Sequence, residues 1–364
     1  MSKAKYLITT AVFVIVLFGF GITQLILPDK ELSYSERRRL EQTPEISAQT
    51  VFSGEYMDNL ENYLLDQFPM REQLRAVNAL INKNLFFQKD IDQIYEVEGT
   101  LCKLEYPLKT DQIEYCTDKI NSIYEQYLNG MDVYYSIVPD KNYFVASEHG
   151  YPSIDYDELC NMMEEGIGDN VTYIDIFDCL SINDYYITDA HWKQDCILDV
   201  AQRLTEGMGA DYNQPEYQYN TLEGFYGVYC GQSALATQSE SLTYLTSSAT
   251  ESATVTSAEA DGTLPVYTLD RFEGMDGYDI FLNGAQAFLE IECPEATTDE
   301  ELIIFRDSYS SSLAPLLTST YKKITLIDLR YMSSELLEQY VKFEDQTVLF
   351  LYSTVLLNSS SLLR

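Results

Sequence analysis

Glu301-Leu302-Ile303-Ile304-Phe305-Arg306-Asp307-Ser308-Tyr309 is the stretch that decides how this chain folds. Glu301 to Phe305 reads as a short buried strand, because an unbroken apolar run with β-branched residues suits a strand covered on both faces. Ser311 to Tyr321 reads as a helix and Lys323 to Asp328 as the next strand. Ser308 therefore falls at a strand-to-helix turn. Such a turn projects its hydroxyl at the carboxyl edge of a sheet, with a helix N-terminus behind it that favours developing negative charge. Open α/β sheets place their ligands at that edge. The flanking glycines of a G-x-S-x-G elbow are absent, so this is not the ordinary α/β-hydrolase signal.

Upstream, the same alternation recurs. Residues 111–129 read as a helix that leads through Asn129-Gly130 into a strand, Asp132 to Val138. Residues 155–166 read as a helix before the strand Val171 to Ile176. A further helix is expected to start at His191, with Ile197, Val200, Ala201 and Leu204 on one face. Helices alternating with strands predict an α/β fold, a mainly parallel sheet flanked by helices. Residues 51–90 carry helical periodicity, and the charge-rich residues 29–50 read as a tether. Residues 215–285 are rich in Tyr, Thr, Ser and Gly. Thr237 to Gly262 has the composition of a linker, yet Leu242, Tyr244, Val255 and Val266-Tyr267 alternate with polar neighbours. The segment is expected to be a β-rich insertion with a hairpin there. The domain is thus drawn as 51–364, with 215–285 inserted.

The second informative string is Thr188-Asp189-Ala190-His191-Trp192. The chain has only two histidines, so a histidine-dependent mechanism has almost no choice of base. A serine hydroxyl needs a neighbouring imidazole to take its proton, and a carboxylate fixes the imidazole tautomer and stabilises its cation. Ser308, His191 and Asp189 supply those parts as nucleophile, base and orienter. The competing account gives Ser308 a helix cap and His191 a turn. His149 lies on an apparent loop, with no Asp two residues away, and is expected to face solvent. Asp307 is expected to cap the helix after Ser308.

With these motifs in hand, the chain resembles the DHHW protein family. These are membrane-anchored bacterial proteins related to the SGNH-like O-acetyltransferase proteins of alginate modification. The resemblance rests on Phe305 to Tyr309, Leu313-Ala314-Pro315-Leu316-Leu317, Leu326 to Tyr331, Asp66 to Arg71, Val138-Pro139-Asp140-Lys141-Asn142 and Asp189 to Trp192. Ser35-Glu36-Arg37-Arg38-Arg39-Leu40 with Pro44 matches the family's Glu-Asn-Arg-x-Leu…Pro motif, with Arg37 in place of Asn. Ala190 stands where the naming motif has its second letter, His; the His carried over as catalytic, His191, is present. The resemblance implies an SGNH-hydrolase-like fold and assigns Ser308, His191 and Asp189 as the triad. It further implies a membrane-bound acyl donor as partner, and an N-terminus inside with the bulk of the chain outside.

Composition narrows the function classes. Of 364 residues, 46% are hydrophobic, ample for a packed core. The formal net charge of −35 argues against nucleic acid, whose phosphates need cationic partners. Tyr6 to Leu27 carries no charged side chain, and as a helix at about 1.5 Å per residue spans about 33 Å, enough for a bilayer core of about 30 Å. No small-x-small cleavage site follows, so an uncleaved anchor is expected, within residues 1–28. Seven cysteines make no CxxC pair and no zinc spacing; Cys102–Cys116 and Cys160–Cys179 are the local pairings open to disulfides. The chemistry calls for no metal and no cofactor.

Two functions fit. One is an extracytoplasmic O-acetyltransferase or acetylesterase acting on a cell-surface polysaccharide through an acetyl-serine. The other is a non-catalytic, membrane-tethered polysaccharide-binding or assembly protein that keeps the fold. For the first, the oxyanion needs backbone N–H groups near Ser308, with Asn283 or Gly284 as further candidates. Lys141 is a candidate for substrate oxygens or an ion pair. Trp192 and Tyr309 are candidates for contact with a sugar, tyrosine and tryptophan combining an apolar ring with a polar tip; burial is the competing account for Trp192.

Overall fold

The computed structural model describes residues 2–235 and 237–364, which divide into two compact units: residues 1–92 with 230–236, and residues 93–229 with 237–364.

The first unit opens with the helix Ser2–Ile26. Its span Lys3–Ile26 contains an 18-residue window of mean hydropathy 2.2 and is long and apolar enough to cross a membrane. Residues 29–50 are folded against the following helices. A short antiparallel pair, β1 (Leu32–Ser33) and β2 (Arg38–Arg39), is pinned by Arg38, whose guanidinium makes a two-pronged bond to Asp66 at 2.5 and 2.7 Å. Lys30 N and O both bond the Gln67 amide. The helical periodicity resolves into three helices, Ala48–Ser53, Glu55–Asp66 and Arg71–Asn84. They group with the apolar helix in this unit, whereas the sequence placed them with the domain that follows.

The second unit is built on an eight-stranded sheet among the described residues. Its chain begins with a hairpin, β3 (Ile94–Val97) and β4 (Thr100–Lys103). The strands β5 (Val133–Val138) and β6 (Val171–Tyr173) follow the helices Thr110–Ile123 and Tyr156–Gly166, close to their expected places. Then come β7 (Gln218–Phe225) and β8 (Glu240–Thr246), β9 (Thr254–Ser257) and β10 (Ala260–Leu264), and finally β11 (Phe288–Glu292), β12 (Glu301–Arg306), β13 (Lys323–Ile327) and β14 (Thr347–Ser353). The order is β10-β9-β11-β13-β12-β14-β5-β6. The ladders joining β13, β12, β14, β5 and β6 are parallel; those joining β10, β9, β11 and β13 are antiparallel.

Strand β12 occupies the middle of the sheet, which explains its unbroken apolar sequence. Leu302 and Ile304 pack with Trp192, Val200 and Leu204, whereas Ile303 and Phe305 pack on the opposite face with Ile113, Ile120 and Leu159. Every residue from Leu302 to Phe305 is at most 1% exposed. At about 25 cal/mol per Å² of apolar surface, this two-sided burial anchors the strand that carries Ser308 at its end.

Segment 215–285 departs from the single hairpin expected. Strand β8 pairs with β7, while β9 pairs with β10 and through β11 extends the main sheet. The alternation marked strands correctly and could not name their partners, because register depends on residues distant in sequence. Two helical boundaries also shift. The helix after Ser308 runs only Ser310–Leu313 and tightens into a 3-10 turn, Ala314–Leu317, because Pro315 has no N–H to continue the ladder. His191 does not open a helix: Tyr186 N and Lys193 N bond His191 O and Asp184 O in a tight loop, and the helix starts at Leu198. Cys102, Cys116, Cys160 and Cys179 are free thiols, so neither Cys102–Cys116 nor Cys160–Cys179 is bridged.

Candidate active site

Strand β12 ends at Arg306, and the chain turns sharply through Asp307, Ser308 and Tyr309. Asp307 holds this turn: one carboxylate oxygen accepts from Tyr309 N at 3.1 Å, and the other from Ser353 N at the end of β14, at 2.8 Å. It thus caps the turn and also ties it to the neighbouring strand. Arg306 is buried behind it, donating to Ser311 Oγ at 2.6 Å and to Gln286 O at 3.3 Å. Ser308 itself stays half-buried at the carboxyl edge of the sheet.

The loop 185–193 brings the imidazole to it. His191 Nε2 lies 2.8 Å from Ser308 Oγ, and His191 Nδ1 lies 2.6 Å from Asp189 Oδ1. An ionised carboxylate only accepts, so Nδ1 carries the proton and Nε2 is left to accept from the serine hydroxyl. Asp189 is completely buried. Its charge is balanced by N–H donors from His191, at 3.1 Å, and Val228, at 2.8 Å, besides the imidazole. The Tyr278 ring stacks on the imidazole at 3.9 Å between centroids and 7° between planes, while its hydroxyl donates to Ser312 Oγ at 2.7 Å. The ring therefore fixes the plane in which the two imidazole nitrogens can act.

Three groups outside the motif hold the loop in place. Lys141 is buried, and its ammonium donates to the carbonyls of Leu101, Tyr186, Ile187 and Asp189. Burial lowers its pKa to about 8, against the nearby Cys102, Asp189 and Glu240, whose negative charge favours the ammonium. The Glu240 carboxylate accepts from Ile187 N and Thr188 N, both at 2.7 Å, and from the Thr188 hydroxyl. Gly227 lets the chain pass close by: Gly227 N donates to Thr188 Oγ1 at 2.8 Å, and a Cβ there would sit 2.3 Å from the Thr188 carbonyl.

The structure brings Ser308, His191 and Asp189 together and gives the other sequence candidates partners within the protein. Lys141 is buried with its ammonium on backbone carbonyls. Trp192 is buried, its indole N–H donating to Tyr309 O at 3.1 Å and Ser312 Oγ at 2.9 Å. Tyr309 is also buried, its hydroxyl donating to Ala190 O at 2.8 Å, so it braces the histidine loop. Asn283 takes a left-handed φ of 61° and accepts from Arg271 Nε at 2.8 Å. Gly284 N donates to Phe281 O at 3.1 Å, so its N–H is committed to a turn. His149 is exposed on the turn after the helix Lys141–Val145. Sequence reasoning missed Glu240, Gly227, Val228 and Tyr278; no local pattern marks them, because each meets the loop from a distant part of the chain.

No family model and no curated protein sequence matches this chain. Solved structures do. A DHHW family protein from Eubacterium siraeum has a TM-score of 0.62 at 19% identity, covering 74% of this chain and 92% of its own. The fold is that of a DHHW family protein. Bacillus cereus PatB1 has a TM-score of 0.56 at 18% identity, over 72% of this chain and 96% of its own. PatB1 with a sulfonyl adduct superposes with the same score and identity. At these identities the likeness is one of fold.

Proposed function

We propose that this protein is a membrane-anchored, extracytoplasmic O-acetyltransferase or acetylesterase that acts on a cell-surface polysaccharide through an acetyl-serine. One observation carries the reading: Ser308 Oγ, His191 and the buried Asp189 stand in line, at 2.8 and 2.6 Å, at the open edge of the sheet. His191 Nε2 takes the Ser308 proton as Oγ attacks the acetyl carbonyl. The resulting imidazolium is stabilised by Asp189 and returns the proton to the departing alcohol oxygen. A sugar hydroxyl or water, deprotonated by the same nitrogen, then attacks the acetyl-serine carbonyl; the bond to Oγ breaks and His191 returns the proton to Ser308 Oγ. The developing oxyanion is assigned to the Ser308 backbone N–H, since the Gly284 N–H is committed elsewhere.

Two further points support acetyl transfer. The motifs around Ser308 and His191 resemble those of the DHHW family and its alginate-acetylation relatives. A protein of this fold, PatB1, is known with a sulfonyl adduct, and sulfonyl electrophiles are captured by activated nucleophiles. The apolar helix Lys3–Ile26 suits the anchor.

The test is turnover of an acetylated model ester and transfer to a glycan. Ser308→Ala and His191→Ala should each remove nearly all activity, and the double variant should lose little more, because the pair acts as a unit. Near wild-type turnover by Ser308→Ala would show that the nucleophile is elsewhere. Wild type that neither turns over esters nor acetylates a glycan, yet binds it, would favour a polysaccharide-binding protein.

A further inference from the structure

The first unit exposes apolar side chains that a water-facing helix would not carry together. Phe52 is 91% exposed, Met57 62% and Leu65 59%. In the helix Glu55–Asp66 and the residues after it, Met57, Leu60, Leu64 and Phe68 recur at three- and four-residue spacings, the stripe of an amphipathic helix. Glu55, Asp58, Glu61 and Asn62 are its exposed polar residues.

What this stripe packs against is informative. The Phe68 ring stacks on Phe20 of the apolar helix, 5.1 Å between centroids. Gln24 Nε2 donates to Leu64 O at 3.1 Å, giving the amide inside the apolar helix a partner. Between the two helices runs an open groove of about 580 Å³, lined mainly by apolar side chains, Val16, Phe20, Leu60 and Leu64 among them, with the Asp58 and Glu61 side chains also on its wall. Phe20 lies seven residues before Leu27, so with Leu27 at the surface of a bilayer it sits about 10 Å down the helix. Side chains stacked on Phe20 are then at the depth of acyl chains. Lys30 and Arg39 are exposed just beyond the span, at the level of headgroups.

We infer that the helices Ala48–Ser53 and Glu55–Asp66, with Phe68, lie in the membrane interface alongside the span, and that a lipid acyl chain fills the groove between them. This rests on the reading that Lys3–Ile26 crosses the membrane. The protein then rests on the bilayer through these helices as well as through the span, a mode of binding distinct from a single-helix leash.

The full chain, reconstituted in phosphatidylcholine–phosphatidylglycerol vesicles, tests this by tryptophan quenching with lipids brominated near the headgroup end of the acyl chain. The single native Trp192 is buried and supplies a constant background. Phe20→Trp reports the span; Phe52→Trp and Leu65→Trp report the face, and all three replace side chains outside the catalytic unit. The expected result is that Phe52→Trp and Leu65→Trp lose most of their added emission to the brominated lipid, as Phe20→Trp does. If Phe20→Trp is quenched while the other two keep full emission, the inference is overturned. Aqueous iodide then shows whether water or another protein covers the face. If Phe20→Trp itself keeps full emission, the spanning helix fails, and the inference with it.

Discussion

Lys141 and Glu240 hold the same stretch of backbone, Lys141 through the carbonyls of Tyr186, Ile187 and Asp189, and Glu240 through the amides of Ile187 and Thr188. Neither residue is near the other in sequence. Together they fix the loop that delivers Asp189 and His191 to Ser308, so the geometry of the three depends on two groups that need not touch substrate.

Glu240→Ala leaves the Ile187 and Thr188 amides without their acceptor. It should cost about 1–3 kcal/mol of unfolding free energy in urea denaturation, with Glu240→Gln milder. Turnover of an acetyl ester should fall with little change in KM, because the residue positions the base. Wild-type stability and turnover in Glu240→Ala would show that the clamp is dispensable.

Gly227→Ala places a methyl group 2.3 Å from the Thr188 carbonyl and 2.4 Å from Asp189 Cβ. Backbone must move to admit it, an overpacking cost of about 1–3 kcal/mol. Because the atoms displaced adjoin Asp189, ester turnover should fall more steeply than stability. Thermal unfolding and turnover measured on one preparation check this; unchanged turnover would mean that the loop adjusts freely.

Asp140 supplies the pH dependence. It is buried between Asn142 N, the Tyr156 hydroxyl and the Thr354 hydroxyl, and burial raises its carboxyl from an ordinary 3.8 to about 6. Between those values the folded chain binds more protons than the unfolded one. This group therefore stabilises the fold as pH drops through about 6 and weakens it as pH rises. In Asp140→Asn that dependence should vanish, so the stability difference between the variant and wild type should change between about pH 7 and pH 5. A constant difference would show that Asp140 does not titrate there.

How far the sequence reached follows from which contacts are local. Strand β12 and its turn were readable because burial on both faces forces an apolar run that ends at Ser308. The Asp189–His191 contact is two residues long, and two histidines left one choice of base. The clamp was not readable: Lys141 follows a strand like many substrate-facing residues, and only the fold turns its ammonium onto four carbonyls. Trp192 and Tyr309 were candidates for a sugar-facing wall, yet the indole N–H and phenol O–H find backbone acceptors inside the core. Tyr278 lies in a segment whose composition says little, and its stacking on His191 depends on the path of 215–285. Likewise β8 was recognisable as a strand, but its pairing with β7 is a matter of long-range register.

The central claim is that Ser308 is activated by His191, and the most direct measurement is site-mapped labelling by a fluorophosphonate. Peptide mass spectrometry of the treated full-length protein should find the phosphonyl group on Ser308. Labelling should be lost in Ser308→Ala and strongly slowed in His191→Ala. Absence of the adduct on wild type, its appearance on another residue, or equal labelling of His191→Ala would contradict the account.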